Sequence, residues 1–452
     1  MIKCVVKIPI SPFQNRIDYV LKFISQHPLL QGLIEFTSDD TSNFDILLSY
    51  GIQQSGAFFI PAQKLIFSDD FSSFGHLIAN PYKFSSMVLY SVERIKAPQP
   101  KTFFSQNSFQ FDILETIFFH ISRIEEWNCK DQNLDQWDMM ITDQQFLVKH
   151  QLHQIPVVDH LVHTFGKALG IQLSLPESII KITHDIDEVK YSPTLLKSLR
   201  ASAGIIWRRQ NWKSIIQIWS TYLTDQKNEY DTFDWMLSDN SAIEKCIYFL
   251  VGGNTVHDTP YDLKSPTMST VFSLCKQRNY IIGIHPSYNC WQDEQLFKSE
   301  KKKLEDLIDH PVKISRQHYL HFDFKTTPKI LDQQKIKEDS SLGFNDRIGF
   351  RCGTGFGYHL YDFENERPFK FIETPLVFMD SALLNETNYD LKKTTQLWSS
   401  FLAKNKNYTK IIFNFHNTRF YLAKIHGIPL KEWYQQLCSP NLDLGNTTTK
   451  VR

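Results

Sequence analysis

The segment IIKITHDID, from Ile179 to Asp187, is an apolar, β-rich run that ends abruptly in two carboxylates. Similar runs follow it and alternate with longer stretches of helical pattern, which is typical of successive β-α units around a parallel sheet or barrel. The predicted strands are Ile179 to Thr183, Cys246 to Val251, Tyr280 to His285, Val312 to Ser315, Ile348 to Arg351, and Lys410 to Phe415. This pattern predicts an α/β fold from about residue 171.

Polar side chains that follow these strands are the candidates for chemistry, because loops at the carboxyl ends of parallel strands carry the functional groups of such folds. Asp185 and Asp187 follow the first strand. One could bind a divalent cation while the other takes a proton from metal-bound water. The third strand ends in His285 and is followed by Asn289, and a neutral imidazole is a common metal ligand.

The later strands add further candidates. Arg316 and His318 follow the fourth strand, and a guanidinium can bind a carboxylate through two hydrogen bonds. His416 follows the last strand and could deliver a proton to a leaving group. Each group alone has an ordinary structural explanation, such as a helix cap or a turn. Their shared position after β-like runs favours one site in this half of the chain.

The composition is that of an ordinary globular protein and excludes several classes. Of the 452 residues, 42% are hydrophobic and 22% are charged, which argues against a disordered, collagen-like or coiled-coil chain. Basic and acidic residues number 49 each, so no net charge attracts nucleic acid or an anionic membrane. The 17 glycines form no glycine-rich phosphate loop, which disfavours a kinase or P-loop enzyme.

Cysteine usage and the opening residues indicate a cytoplasmic protein with reduced thiols. The seven cysteines are scattered and never form a C-x-x-C pair, so neither a disulfide framework nor a zinc ribbon is predicted. No run approaches the ~18 apolar residues of a membrane span. The opening MIKCVVKIPISPF lacks the order of a secretory signal.

The length allows two or three domains. We predict a smaller α/β domain over residues 1–170, a (β/α) barrel over 171–438 and a polar tail over 439–452. The first domain contains one amphipathic helix, Phe111 to Trp127, and no catalytic constellation. It could orient a partner, cap the barrel or bind substrate. The nine tryptophans could stack on sugar rings, but sequence position singles out none of them.

The order of motifs resembles the polysaccharide deacetylases, carbohydrate esterases that remove N- or O-acetyl groups from sugar polymers on a distorted (β/α) barrel. In that family an early strand ends in paired acids, a second in a His-led loop, a third in an Arg-led loop and a late strand in a His. The phrases THDID, GIHPSYN, SRQHYL, DSSLGF, GFRCGT and FNFHN are most similar to a bacterial subgroup with its own N-terminal domain. The resemblance covers roughly residues 179–417.

The resemblance also implies roles for individual residues. Asp185 would be the general base and His416 the general acid, while Arg316 would hold the carboxylate of the base. Asp187 and His285 would bind the metal, which we expect to be zinc, cobalt or nickel. The remaining site residues would support the site or bind substrate, and they are His318, Asp339 and Arg351.

The sequence departs from the family pattern at one position. The usual second motif has another His four residues after the first, and here Asn289 stands at that place. An amide oxygen is a weaker ligand than imidazole for zinc-like ions. Asn289 is therefore the expected third ligand, with His318 and His184 as alternatives.

The implied activity is metal-dependent removal of acetyl groups from N-acetylated sugars or glycan precursors, with an acetylated carbohydrate as the partner. Two alternatives stay open at this point. One is a catalytically inactive, deacetylase-like protein that binds carbohydrate, which Asn289 supports. The other is a metal-dependent hydrolase of another class, such as an amidohydrolase or a phosphoesterase, because a fold does not fix the substrate.

Overall fold

The computed structural model describes residues 1–8, 11–38, 44–67, 76–97, 99–174, 176–189, 229–237 and 243–439, with isolated positions between 190 and 228. Of the predicted polar tail, residue 439 alone falls within this part of the chain. Among these residues, no helix combines the length and the apolar character needed to cross a membrane.

The N-terminal part holds a six-stranded and a three-stranded sheet among its described residues. Its elements are β1 (Ile2–Lys7), α1 (Gln14–Gln26), β2 (Ile34–Thr37), β3 (Ile46–Tyr50), β4 (Phe58–Ile60), β5 (Ile78–Phe84), β6 (Met87–Glu93), β7 (Lys101–Thr102), β8 (Phe104–Ser105), β9 (Ser108–Phe109), α2 (Ile113–Ser122), α3 (Ile124–Trp127), α4 (Phe146–Lys149) and α5 (Val157–Ala168). The larger sheet has the order β2-β1-β3-β4-β9-β8, and the smaller has the order β6-β5-β7.

The amphipathic helix predicted in this part is present but broken. The Asp112 side chain caps α2 by accepting a hydrogen bond from the backbone N–H of Glu115 at 2.9 Å. Arg123 then adopts a left-handed conformation with φ of 54°, which separates α2 from α3. Its buried guanidinium donates to the carboxylates of Glu125 and Glu126, so the helix ends where these three side chains form an ion-pair network.

The C-terminal part is built on a parallel sheet and flanking helices. Its elements are β10 (Ile179–Ile186), α6 (Phe233–Met236), β11 (Glu244–Leu250), α7 (Pro266–Gln277), β12 (Ile281–His285), α8 (Glu294–Ile308), β13 (Ile314–Ser315), α9 (Thr327–Gln333), β14 (Glu338–Asp339), β15 (Tyr361–Asp362), β16 (Arg367–Pro368), β17 (Ile372–Glu373), β18 (Phe378–Met379), α10 (Asp380–Glu386), α11 (Leu391–Lys404), β19 (Lys410–His416), α12 (Asn417–Ile425) and α13 (Leu430–Leu437).

Eight of these strands form one parallel sheet in the order β17-β14-β13-β12-β11-β10-β19-β18, and β15 and β16 form a separate antiparallel pair. The α/β prediction is confirmed to this extent. In the described part of the chain the sheet is an open half-barrel with β17 and β18 at its edges, rather than a closed barrel.

The strand β10 lies inside the sheet because its Ile and Thr residues favour extended backbone and its neighbours cover it on both sides. It pairs with β11 on one side and with β19 on the other. The register with β19 sets Asp185 opposite His416, at the carboxyl ends of both strands. Strand pairing alone therefore makes these two predicted functional residues neighbours.

The prediction of a strand over Ile348 to Arg351 is wrong, because the structure has no strand at these residues. This apolar run is a buried turn that packs against the N-terminal part, where the Phe350 N–H donates to the His153 carbonyl oxygen at 2.7 Å. A Cβ at Gly349 would lie 2.4 Å from that oxygen, so glycine permits the close approach. The apolar residues of this segment indicate burial, and burial alone does not distinguish a strand from a packed turn.

The N-terminal and C-terminal parts share one continuous apolar core. Buried polar contacts also cross between them, including the ion pair of Glu126 with Arg351 and a hydrogen bond from the Tyr19 hydroxyl to the His359 carbonyl oxygen at 2.6 Å. The predicted boundary near residue 170 stays a prediction, and the contacts place the N-terminal part against the sheet that carries the candidate site.

Candidate active site

The end of β10 presents its two acids in one direction. Successive residues of a strand point to opposite faces, so Thr183, Asp185 and Asp187 follow one side and His184 the other. His184 is fully buried on that second side, where its Nε2 lies 3.3 Å from the Tyr434 hydroxyl. The suggestion that His184 completes a metal site is therefore wrong, because strand alternation turns it away.

Three side chains from three strand ends converge next to β10. Ligand atoms of Asp187, His285 and His318 all lie within 4.8 Å of one another. Asp187 Oδ1 lies 3.4 Å from His285 Nε2 and 4.0 Å from His318 Nε2. The order β10-β11-β12-β13 brings these residues together, although 131 positions separate the first from the last.

Hydrogen bonds fix the orientation of both imidazoles. His285 Nδ1 donates to the Arg316 carbonyl oxygen at 2.6 Å, and His318 Nδ1 donates to Asp258 Oδ1 at 3.2 Å. With Nδ1 donating in each ring, Nε2 is the atom that faces Asp187, and it offers a lone pair to a cation once it has lost its own proton. Asp258 is itself held, since it accepts from the Thr255 hydroxyl at 2.7 Å and from the Tyr288 N–H at 2.9 Å.

This group fits a divalent cation of the zinc, cobalt or nickel type. Its donors are one carboxylate oxygen and two imidazole nitrogens, and two ligands of one tetrahedral zinc ion lie roughly 3.4 Å apart. In the described structure, Asp187 Oδ1 is buried without a hydrogen-bond partner. Burial opposes its ionisation, but His285, His416 and His318 together hold the pKa of Asp187 well below its usual range. A charged carboxylate oxygen that accepts no hydrogen bond is a natural cation ligand.

Asn289, the expected third ligand, does not belong to this group. It lies on a single 3-10 turn, Tyr288–Trp291, with its side chain exposed, and it does not line the cavity that contains Asp187. The turn is anchored by the Ser287 N–H, which donates to Glu300 at 2.8 Å, and by the Tyr288 N–H. This anchoring directs Asn289 outward, and His318 from the neighbouring strand stands in its place.

Asp185 is held by a fully buried arginine. Arg316 Nη1 donates to Asp185 Oδ1 at 2.8 Å, to the Thr183 hydroxyl at 2.9 Å and to Asn414 Oδ1 at 2.7 Å. The Asn414 amide in turn donates to Asp185 Oδ2 at 2.7 Å. Burial opposes ionisation of Asp185, but the Arg316 guanidinium outweighs it and lowers the pKa of the carboxyl. Asp185 is thus an ionised, oriented carboxylate.

His416 is held on the opposite side by Asp380, the first residue of α10. The backbone N–H and Nδ1 of His416 donate to Asp380 Oδ2 at 2.8 Å and Oδ1 at 2.6 Å, respectively. Its Nε2 lies 3.9 Å from carboxylate oxygens of both Asp185 and Asp187. Burial would lower the pKa of His416, but the Asp380 carboxylate raises it to about 9. The protonated imidazole can therefore act as an acid.

The two remaining predicted residues lie behind the site or away from it. Asp339 is buried and accepts hydrogen bonds from the Ser315 hydroxyl and from the Ser341 N–H. It thereby supports the loop whose Ser340 carbonyl oxygen accepts from Arg316 Nε at 2.9 Å. Arg351 does not reach the cavity, because its guanidinium pairs with Glu126 and donates to the Gly343 carbonyl oxygen at 2.8 Å. A direct role for Arg351 in substrate binding is therefore wrong.

The groups above open into a cavity of about 250 Å³. Its lining consists of the acids and histidines together with aromatic, amide and apolar side chains, namely Trp137, Met139, Asp185, Asp187, His285, Gln317, His318, Tyr319, Leu320, Asn345, Met379, Ser381, Asn385, His416 and Arg419. Sequence reasoning missed Trp137, Asp258, Asp380 and Asn414. Of these, Asn414 lies within the quoted FNFHN phrase, and its position two residues before His416 on a strand was a usable signal.

Comparisons with known proteins give limited similarity. Residues 6–174 match the model of a family of unknown function, DUF7033. No curated protein matches the chain.

Two solved structures are similar to part of this chain. One is described as a candidate polysaccharide deacetylase from Mycobacterium smegmatis, with 14% identity over 59% of this chain and 85% of that chain, and a TM-score of 0.36. The other is a mutant of a CE4 family pseudoenzyme with restored enzymatic activity, with 8% identity over 57% of this chain and 64% of that chain, and a TM-score of 0.24. Similarity of this extent assigns no role to a residue of this chain.

Proposed function

We propose that this protein is a metal-dependent hydrolase that removes an acetyl group from an N-acetylated sugar. The observation that carries the proposal is the arrangement around one cavity. An open three-ligand group, Asp187, His285 and His318, lies in the same cavity as an arginine-held carboxylate, Asp185, and an aspartate-held imidazole, His416. Metal-dependent deacetylation needs this combination of a cation site, a base and an acid.

The residues that would hold the cation are Asp187 and the Nε2 atoms of His285 and His318. A catalytic zinc site has three protein ligands and leaves a position for water or substrate. When bound, such a cation supplies Lewis-acid polarisation of an acyl carbonyl and of a water molecule.

Asp185 is the base in this proposal. Its carboxylate takes a proton from the attacking water, and the Arg316 and Asn414 side chains keep it ionised and oriented for that step. His416 is the acid. Its Nε2 gives a proton to the departing amine as the carbon–nitrogen bond breaks, so the products are acetate and a free amino sugar. Asp380 holds the imidazole through Nδ1 during this transfer.

The acetylated substrate class rests on the resemblance of the motif order to the polysaccharide deacetylases. The geometry itself suits hydrolysis of an acyl group next to a cation. Acetate release from a panel of N-acetylated mono- and oligosaccharides, compared with phosphate release from phosphoesters, tests the class directly. Acetate release supports the proposal, and phosphate release alone would replace it with a phosphoesterase.

The ligand set is tested by metal content of the purified protein after chelation and reloading with zinc. We expect about one equivalent in the wild type and in Asn289→Ala, and loss of the ion in His318→Ala. The Asn289→Ala variant is the matched control, because it removes the family-expected ligand. Metal retained by His318→Ala but lost by Asn289→Ala would refute the proposed site.

The catalytic roles are tested by Asp185→Asn. We expect this variant to bind metal and to lose acetate release by a factor of about 100 to 10,000, the usual contribution of a general base. Turnover near the wild-type rate would show that another group accepts the proton.

A further inference from the structure

A turn of the N-terminal part reaches the candidate active site. Leu134 and Met140 form an isolated antiparallel bridge that closes the turn. Inside it, Asp135 Oδ1 accepts hydrogen bonds from the N–H of Trp137 at 2.8 Å and of Met139 at 3.1 Å, and Asp138 takes a left-handed conformation with φ of 57°. We call residues 134–140 the tryptophan turn. The bridge and these hydrogen bonds define the backbone shape of the turn.

Contacts with the C-terminal part fix the position of this turn. On its C-terminal side, Asp143 pairs with Arg347 at 2.8 Å. On its N-terminal side, the buried carboxylate of Glu126 pairs with Arg351. The Trp137 and Met139 side chains line the same cavity as Asp187 and His285. Met139 is buried, whereas Trp137 stays partly exposed and available to a ligand.

The rest of the lining has the chemistry of a sugar site. Tyr319 exposes 43% of its surface, and both it and Leu320 have positive φ values of 57° and 52°. Two consecutive left-handed residues without glycine are costly, and such strain is typical of functional sites. Asn345 and Arg419 add hydrogen-bond donors to the lining.

A pyranose ring has apolar C–H faces and a rim of hydroxyl groups. Flat aromatic side chains cover the faces, and a few polar side chains can bind the rim. The mixture of aromatic, amide and guanidinium groups in this cavity matches both needs.

We propose that Trp137 is a substrate-binding residue that stacks on the sugar ring carrying the acetamido group, so that the N-terminal part supplies one side of the substrate site. This inference rests on the proposed function and adds the structural reason why the N-terminal part lies against the sheet. Among the described residues, no hydrogen bond joins Trp137 to a proposed metal ligand. An indole does not exchange protons near neutral pH, so Trp137 contributes to substrate binding rather than to proton transfer.

The test measures acetate release by the zinc-loaded full chain, with N-acetylglucosamine oligomers of one to four units as probes. Trp137→Ala should raise KM at least about tenfold with little change in kcat, since a central tryptophan is commonly worth more than 1.4 kcal/mol of binding. Trp137→Phe, which keeps a flat ring, should restore part of the loss. Gln136→Ala is the matched control, because Gln136 is exposed on the same turn and does not line the cavity.

Two further measurements separate binding from folding. Metal content should be unchanged in Trp137→Ala, and isothermal titration of the tetramer into Asp185→Asn should show a Kd that weakens by a similar factor when Trp137→Ala is added. An unchanged KM and Kd in Trp137→Ala would overturn this inference and leave the proposed function in place. Failure of the wild type to bind or deacetylate any of the probes would overturn both.

Discussion

Two clusters of buried charged side chains in this protein differ in how completely their carboxylate oxygens are hydrogen-bonded. At the contact between the N-terminal and C-terminal parts, each carboxylate of Glu125 and Glu126 is saturated by arginine or backbone donors. At the candidate active site, Asp187 Oδ1 is buried and has no hydrogen-bond partner in the described structure. In the first cluster every carboxylate oxygen is used, and those of Glu126 join the two parts of the chain through Arg351. The second leaves an acceptor unused, as a site for a cation requires.

The pKa of Glu126 and that of Asp187 are both lowered, but by different cations. Burial opposes ionisation of Glu126, but Arg351 and Arg123 reverse it and lower the pKa of its carboxyl. In the active-site cluster the histidines take the place of the arginines. Because an imidazole can lose its proton, these positive charges can be removed when a cation binds, whereas the guanidinium charges cannot. A carboxylate paired with arginine is therefore suited to a structural contact. A carboxylate paired with histidine is suited to a site where a cation can replace the proton of the imidazole.

The largest expected effect is on stability and concerns the contact between the two parts. Arg351→Ala leaves the buried Glu126 carboxylate with Arg123 as its remaining arginine partner, and we expect it to lower the free energy of unfolding by about 3 to 5 kcal/mol. Urea denaturation followed by circular dichroism measures this change.

The matched control is Glu364→Ala, which breaks the exposed ion pair with Lys329. We expect that change to cost about 0 to 1 kcal/mol. Equal losses in the two variants would show that burial does not distinguish the contact from a surface pair.

The next effect is on metal affinity and concerns the support of His318. Asp258→Asn keeps the size of the side chain but weakens the acceptor for His318 Nδ1, so we expect metal affinity to fall by about 10- to 100-fold. Competition with a chromogenic chelator measures the affinity. Asp262→Asn, an exposed acid a few residues further along the same loop, should bind metal like the wild type. Unchanged affinity in Asp258→Asn would show that His318 is oriented without this carboxylate, or is not a ligand.

The smallest effect is the titration of His416 in the metal-free protein. Its pKa of about 9 is raised above the ordinary 6.5, so the protonated imidazole stabilises the fold. This contribution is complete below pH 6.5 and is lost as the pH rises through 9. In Asp380→Asn the pKa should fall below that of the wild type, because burial then acts with less opposition from a nearby carboxylate. NMR titration of the imidazole measures both values.

Asp390→Asn is the control for that titration, since Asp390 is an exposed helix cap at the start of α11. We expect it to leave the pKa of His416 unchanged. A pKa of His416 near 6.5 in the wild type would show that Asp380 does not carry the charge assigned to it.

Much of this site was predictable because it depends on strand geometry. The positions of β10, β12 and β19 follow from their apolar runs, and the spacing of Asp185 and Asp187 places them on one side of a strand. The pairing of Asp185 with Arg316 was implied by the family resemblance, and the side chains meet at 2.8 Å. The general position of the site at the carboxyl edge of the sheet also follows from the α/β pattern.

Other parts could not be predicted from local pattern. Asn289 occupies the family position of a ligand, but the 3-10 turn after β12 directs it to the surface. Asp258 reaches His318 from a loop and Asp380 reaches His416 from the first residue of α10, and nothing in their own neighbourhood marks them. Trp137 comes from a part of the chain in which the sequence indicated no functional residue. The strand wrongly predicted over Ile348 to Arg351 shows the same limit, since burial does not distinguish a strand from a packed turn.

The sequence alone determined which side chains leave the ends of strands and on which side, because the two-residue period of a strand is a local property. The tertiary structure alone decided which of them meet. That choice depends on the strand order β13-β12-β11-β10-β19-β18, which brings His318 and Asp380 to the two sides of Asp185 and Asp187. It also depends on the packing of the N-terminal part, which places Trp137 and Met139 of the tryptophan turn in the same cavity. Strand order and packing between distant segments are set by the whole core, so no single stretch of sequence contains them.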